Sequence, residues 1–433
     1  MKRIILVLTV VSLLADKLVA AGTNNTPALL TLADAEKLAL HNHPQIAAAN
    51  YRALAAEEAV KETRAGFFPA INAYGNAVGA ENEDARVLAG GLNNPSIYDR
   101  VAGGLAASLL LADFGRTANL VAGSKFQAQA ERQNADATRE QVLLQADVGY
   151  LRTLKAQAVL RVAQQTVDTR QLLLDQVSVL ASNKLKSELD VSFARVAVQE
   201  SRLLLQRAQN NADDAMTSLS TALGYREPRP FQLADSAPMV SPNPDDVSQL
   251  VETALAKRPE LLSLRNEHAA ALKFAKSQRD ARLPLITAVG LIGDSPSHDP
   301  HLPDNYEVGG IQLSLPLFAG GLYAARQHGA ELQAQADREF VRALEDRIVH
   351  DVHIAWLNVS TAREQLRTTE ELARSAAEAY ELASARYRIG SSSIVELSQA
   401  QLSLTSAQIS NASARYDLLI QQANLACETG ALR

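Results

Sequence analysis

"SLPLFAGG", residues 314–321, and "SLLLADFG", residues 108–115, decide the fold. Each closes an apolar run on glycine, and each is followed by a long stretch without proline. No proline occurs from 96 to 227, and none from 317 to 433. Before the second turn, "VGGIQLSLPL" alternates. Ile311, Leu313, Leu315 and Leu317 fall on one side and Gly310, Gln312 and Ser314 on the other, the period of a strand. After it, Leu332, Ala336, Phe340, Leu344, Ile348, Val352 and Trp356 form one stripe at helical spacing. The two stretches therefore read as turns between a strand and a very long helix. Gly115 serves one turn and Pro316, Gly320 and Gly321 the other, with the glycines supplying backbone freedom.

The two turns belong to two copies of one plan. "LALHNHPQI" (38–46) lies over "TALAKRPEL" (253–261), and "GFFPAI" (66–71) over "ARLPLI" (281–286), both 215 residues apart. From the turns onward the separation is 206: Tyr150 over Trp356, Ser187 over Ser393, Asp190 over Glu396, Gly224 over Gly430. The length change thus falls between paired strands, which marks a surface loop there. The copies span 22–227 and 246–433. The proline-rich stretch 228–245 reads as a linker between them.

Each copy divides alike. A helix is expected over about 31–65 and 246–281, opened by "TLAD" and "DVSQ" with capping residues. Strand pairs follow within 67–112 and 283–318. Long helices are expected from Arg116 to Ser182 and from Leu322 to Ile389, and return helices over 187–223 and 393–428. At 1.5 Å per residue a helix of that length reaches about 100 Å. This exceeds any ordinary globular helix and implies a bundle or coiled coil. The first helix and the return helix, stacked end to end, would pair along the whole long helix.

Hydrophobic residues make up 47% and aromatics 5%, a helix-rich composition, and the formal charge of -6 speaks against a nucleic-acid partner. Residues 1–21 carry Lys2 and Arg3, an apolar run and Ala20–Ala21, the pattern of a secretory signal peptide. The only cysteine is Cys427, so no lipidation cysteine follows the signal and no intrachain disulfide forms. No later stretch resembles a membrane-spanning helix, so entry into a membrane would require a closed barrel.

In this order and duplication, the "LALHNHPQI" and "TALAKRPEL" starts, the strand entries, "SLPLFAGG" and "YRIGSSSIVELSQAQ" (387–401) resemble the TolC-like outer-membrane factors, the outer membrane efflux proteins. The resemblance covers about residues 30–430. It implies a mainly α protein with a β-barrel part. As a homotrimer, each protomer would give four strands to a twelve-stranded barrel in outer-membrane lipid, continued by a periplasmic α-helical barrel. It also implies a passive exit duct for efflux or type I secretion. The duct would dock a periplasmic adaptor and an inner-membrane pump of the RND, ABC or MFS type. A structural or adhesive coiled-coil protein of the envelope is the alternative, but it would not need duplicated strand pairs.

"SELD" (187–190) and "SIVE" (393–396) follow the two hairpin tips. Ser187 and Ser393 read as N-caps, with Asp190 and Glu396 three residues on. The resemblance places a polar gate at these tips, with Asp190, Tyr387 and Glu396 as pore-facing candidates. Ser392 stands where some members carry an arginine that bonds a neighbouring acid, and Gln399 where a second acid occurs. The expectation is a gate wired differently. No nucleotide-binding, HExxH or GxSxG motif is present, and no catalytic residue, metal or cofactor is expected. His350 and His353 share a helix face but lack further ligands, and "HDPHLPD" (298–304) reads as an extracellular loop.

Overall fold

The structure, a computed structural model, describes residues 29–78, 100–235, 246–297 and 304–432. The signal segment 1–21, most of the loops between paired strands, residues 236–245 of the linker, His298 and His301 lie outside the described residues. In chain order the elements are β1 (Leu29–Leu30), α1 (Leu32–Asn42), α2 (Pro44–Ala65), β2 (Ala70–Val78), β3 (Arg100–Ala112), α3 (Arg116–Ser182) and α4 (Glu188–Ala222). Then come β4 (Gln232–Leu233), α5 (Val247–Lys257), α6 (Pro259–Asp280), β5 (Leu285–Ser297), β6 (Asn305–Ser314), α7 (Leu322–Arg388) and α8 (Ile394–Glu428).

The first helix of each copy is broken, where the pattern suggested one continuous helix. Pro44 and Pro259 disfavour helical backbone at the residue before them. His43 and Arg258 are accordingly extended, at φ -72°, ψ 121° and φ -60°, ψ 120°. Each proline then starts a new helix at a position whose N–H has no helical partner anyway. Thr31 caps α1 by accepting from Asp34 N and donating to Asp34 Oδ2, while Asp246 caps α5 by accepting from Ser248 N.

Both long helices have 67 residues. α3 packs on α1 and α2 along its first part and on α4 along its second. α7 packs on α5, α6 and α8 in the same way. α6 and α8 also lie along α3, which stitches the two copies together. The stacked helices meet at glycines. A Cβ on Gly224 would lie 2.8 Å from the Asn42 carbonyl carbon and 2.9 Å from His43 N, so α4 abuts the α1–α2 break directly. Gly430 meets Lys257 and Arg258 at the α5–α6 break, with more room.

One short element has no periodic signal. β1 and β4 pair in parallel over two residues each, and the buried Tyr150 hydroxyl lies 2.9 Å from Leu30 O and 2.7 Å from Ala234 O. This belt covers a core of Val142, Leu151, Leu219, Leu223, Tyr416 and Leu419 halfway along the helices.

The four long strands form one antiparallel sheet in the order β2-β3-β5-β6. β6 ends at Ser314, so Leu315 and Leu317 stand beyond the ladder rather than on its alternating face. Pro284 and Pro316 explain this, because neither has an N–H to extend the pairing. Register sorts the side chains. Ile71, Leu105, Leu109, Ile286, Ile311 and Leu313 share one face, and Asn72, Tyr74, Ser108, Thr287, Tyr306 and Gln312 the other. On that second face the Tyr74 and Tyr306 hydroxyls hydrogen-bond to each other from the two edge strands, over Gly104 and Gly293 in the middle strands. One face is thus mainly apolar, while the other mixes these polar side chains with Leu110, Val289, Leu291 and Val308.

Among the described residues, the backbone records the duplication. The positive-φ residues form four pairs 206 apart: Phe114 and Gly320, Gly115 and Gly321, Lys184 and Gly390, Gly224 and Gly430.

Candidate functional site

The hairpin tips are built alike and wired differently. In the first copy α3 ends at Ser182, and Asn183 Nδ2 donates to Val179 O at 2.8 Å. Ser187 then caps α4 in a full capping box. Its Oγ accepts from Asp190 N at 3.1 Å, and Asp190 Oδ2 accepts from Ser187 N at 3.1 Å and Ser187 Oγ at 2.9 Å. In the second copy Ser393 Oγ accepts from Glu396 N at 3.2 Å, but the Glu396 carboxylate does not reach back. It lies 3.7 Å from Arg386 Nη1 instead, so an acid with a longer side chain has exchanged the cap for an ion pair across its own hairpin. Arg386 also donates to Ser391 O, while Ser392 Oγ stays local, 3.4 Å from Ser393 O.

Tyr387 brings the two tips together. Its ring, 5% exposed, packs with Val177, Val191, Ala383, Ile394 and Leu397, drawn from all four helices. Lys186 of the other hairpin places Nζ 4.0 Å from the ring centroid, a cation–π contact. Burial, and then the Asp190 carboxylate, push the Tyr387 phenol above its usual pKa. Gln399 is exposed one turn beyond Glu396 on the same face of α8. Asp190 is thus taken up by Ser187 and touches Tyr387 only through its charge, whereas Glu396 pairs with Arg386. Lys186 and Arg386 escaped the sequence reading. Lys186 precedes a cap, where charge is common, and Arg386 meets Glu396 only through the turn.

At the other end of α3, Asp113 accepts from Gly115 N at 3.2 Å and Thr117 N at 2.6 Å. Asp280 accepts from Asn119 Nδ2 at 2.8 Å. In the second copy Ala319 replaces Asp113, and nothing lies within 4 Å of a Cβ on Gly320 or Gly321. Pro316 lies between the last ladder residue and this turn.

Among the described residues, no group of three His, Cys, Asp or Glu side chains is placed to hold a metal ion. His350 Nδ1 sits 3.0 Å from Asp351 Oδ1 and His353 Nδ1 2.8 Å from Val349 O. Among the described residues, no helix is long and apolar enough to cross a membrane.

The duplicated strand pairs, the two-faced sheet and the paired 67-residue helices are also the elements that known proteins share. Residues 36–225 and 250–431 match the outer membrane efflux protein family. The chain belongs to that family. This outer membrane efflux protein is 26% identical over 325 residues to the proteases secretion protein PrtF of Dickeya chrysanthemi, a match covering 70% of this chain and 67% of PrtF. It is 26% identical over 320 residues to the alkaline protease secretion protein AprF of Pseudomonas aeruginosa, covering 69% and 63%. Its fold matches the CmeC outer membrane channel of Campylobacter jejuni with a TM-score of 0.80 and 17% identity, covering 92% of this chain and 85% of CmeC. As an outer membrane efflux protein the chain is an outer-membrane channel component, and its strands are the part suited to lipid.

Proposed function

We propose that three copies of this chain close one barrel in the outer membrane and one periplasmic tunnel, forming the passive exit duct of a tripartite efflux or type I secretion system. The sheet carries the reading. Its mainly apolar face suits lipid, and the face with Asn72, Tyr74, Ser108, Thr287, Tyr306 and Gln312 suits an aqueous lumen. Among the described residues, β2 and β6 leave both edges of the sheet unpaired. Open edges do not survive in hydrocarbon, where every N–H and C=O needs a partner, so the sheet must be completed by other copies.

Export through the segment 1–21 would deliver the chain to the periplasm. A periplasmic adaptor and an inner-membrane pump would supply docking and energy, since the sequence carries no nucleotide-binding motif. Asp190, Glu396, Gln399 and Ser392 would line the periplasmic entrance, while Tyr387, buried between the tips and covered by Lys186, would hold neighbouring tips together. PrtF and AprF are protease secretion proteins, which supports a polypeptide cargo.

Native mass spectrometry and planar-bilayer recording of the detergent-purified protein test this. A trimer that conducts ions is expected. A folded monomer stable in water without detergent would overturn the reading.

A further inference from the structure

We propose that α7 of each copy lies along α2 of the next, with Gly329 seated against the turn of α2 that carries Ala55 and Glu58, and with Asp337 beside Arg52. This seam rests on the trimer proposed above and specifies how its tunnel closes.

Gly329 has no purpose within one chain. Glycine weakens a helix interior, yet nothing lies within 4 Å of a Cβ added there. Its counterpart 206 residues earlier is Gly123 of α3. A Cβ on Gly123 would meet Ala270 O at 3.4 Å and the Lys273 Cβ at 3.6 Å, so the missing side chain lets α6 approach α3 closely. Further along the same joint, Ser263 Oγ donates to Ala130 O at 3.0 Å, and Ser263, Ala270 and Ala130 are all buried.

α3 thus packs on the first helix pair of the other copy through α6. The reciprocal packing, α7 on α2, is not made among the described residues of one chain. At the same offsets of 215 and 206, Ser263, Ala270 and Ala130 correspond to Ala48, Ala55 and Ala336. All three are exposed, and all are small enough to repeat the close approach. Two bare faces at opposite edges of one chain, each matching half of an internal joint, are what a head-to-tail contact between identical copies requires.

Charge supports the same pairing. Arg52 and Glu131 line one cavity, and Glu267 and Asp337 another, so the four follow one another across α2, α3, α6 and α7. Burial, then the Glu131 and Asp337 carboxylates, push the Glu267 pKa above its usual value. Like charges at the α3–α6 joint are tolerated because one chain holds both helices. Between copies the positions of Glu131 and Glu267 are taken by Asp337 and Arg52. Opposite charges there attract and set the register of two separate chains.

Disulfide trapping in the full-length protein, with Cys427→Ser, reads the seam. A Cβ separation of 3.6 Å suits a disulfide, so Gly123→Cys with Lys273→Cys should close a bond within one chain. Gly329→Cys with Glu58→Cys should instead give covalent dimers and trimers on non-reducing gels, and either cysteine alone should give none. Native mass spectrometry of wild type reports the oligomer independently. If wild type is a trimer and the internal pair closes but the 58–329 pair does not, the seam is overturned while the duct reading stands. If wild type is not a trimer, both fall. Arg52→Glu should raise the fraction of trimer dissociated by a fixed dose of SDS severalfold, and adding Asp337→Arg should reverse the loss. Absence of the loss, or of its reversal, overturns the pairing of Arg52 with Asp337.

Discussion

Gly224→Ala should be the most damaging of a small alanine series, because only there does a left-handed backbone coincide with backbone atoms closer than 3.0 Å to an added Cβ. Gly390 has φ +80° and nothing within 4 Å of an added Cβ. Its replacement carries only the left-handed penalty for an L residue, about 1–2 kcal/mol. Gly430 has φ +65°, and an added Cβ would lie 3.3 Å from Lys257 C and 3.4 Å from Arg258 N, so the neighbours must yield slightly. At Gly224, φ +82°, the Cβ would sit 2.8 Å from both C and O of Asn42 and 2.9 Å from His43 N. Those atoms hold the extended residue between α1 and α2 and cannot rotate away. Overpacking adds about 1–3 kcal/mol, for a total of about 2–5 kcal/mol. Lys184 offers the reverse test. It adopts φ +60° where the second copy has Gly390, so Lys184→Gly should stabilise by about 0.5–1 kcal/mol. Thermal unfolding of the purified variants, with hydrogen exchange over residues 39–46, gives the order and locates the damage. If Gly224→Ala melts with Gly390→Ala, the α4 end does not bear on the α1–α2 break as described.

In the proposed trimer three copies each of Asp190 and Glu396 would ring the entrance and favour cations, so Asp190→Asn combined with Glu396→Gln should weaken cation selectivity and block by trivalent cations in single-channel recordings. The stability loss should be small, about 1 kcal/mol for the Asp190 cap and less for the exposed Glu396–Arg386 pair. Wild-type selectivity in the double variant would remove these carboxylates from the pore. Burial, with help from Glu428, pushes the Cys427 thiol up to about 12, so a maleimide at pH 7.5 should label it only after unfolding. Labelling of the folded protein at the rate of a free thiol would contradict that environment.

Length and repetition made the helices legible. Arg116 and Ser182 were readable as ends because glycine precedes the one and a capping serine closes the turn after the other. The breaks at His43 and Arg258 were hidden, although Pro44 and Pro259 were in plain view, because the apolar spacing runs on across them. β1 and β4 carry two residues each and owe their place to Tyr150, a long-range contact that no local period encodes. At the tips, Ser187 and Asp190 sit at capping spacing. The Arg386–Glu396 pair spans ten positions across a turn and required coordinates.

The two copies agree in backbone and differ in polar contacts, and the difference has a physical logic. Each copy must make its own strand-to-helix turn, hairpin tip and helix stack, and all four left-handed positions recur at the same offset. Phe114 and Lys184 adopt that conformation even without glycine. Contacts between elements are under no such demand. The first copy holds the start of α3 with its own Asp113 and with Asp280 of the second copy, its belt with the Tyr150 hydroxyl, and its tip with a capping box. The second has Ala319, an apolar α5–α7 contact and the Arg386–Glu396 pair at those places, with Arg258–Glu428 at its helix joint. A polar latch has a narrow geometric optimum, whereas apolar packing tolerates small slides. Both hairpins are latched by polar contacts, but the first at its strand-to-helix turn and capping box and the second at its helix joint and tip ion pair. A tunnel that alternated the two would therefore be threefold rather than sixfold in its polar contacts, even where its backbone repeats.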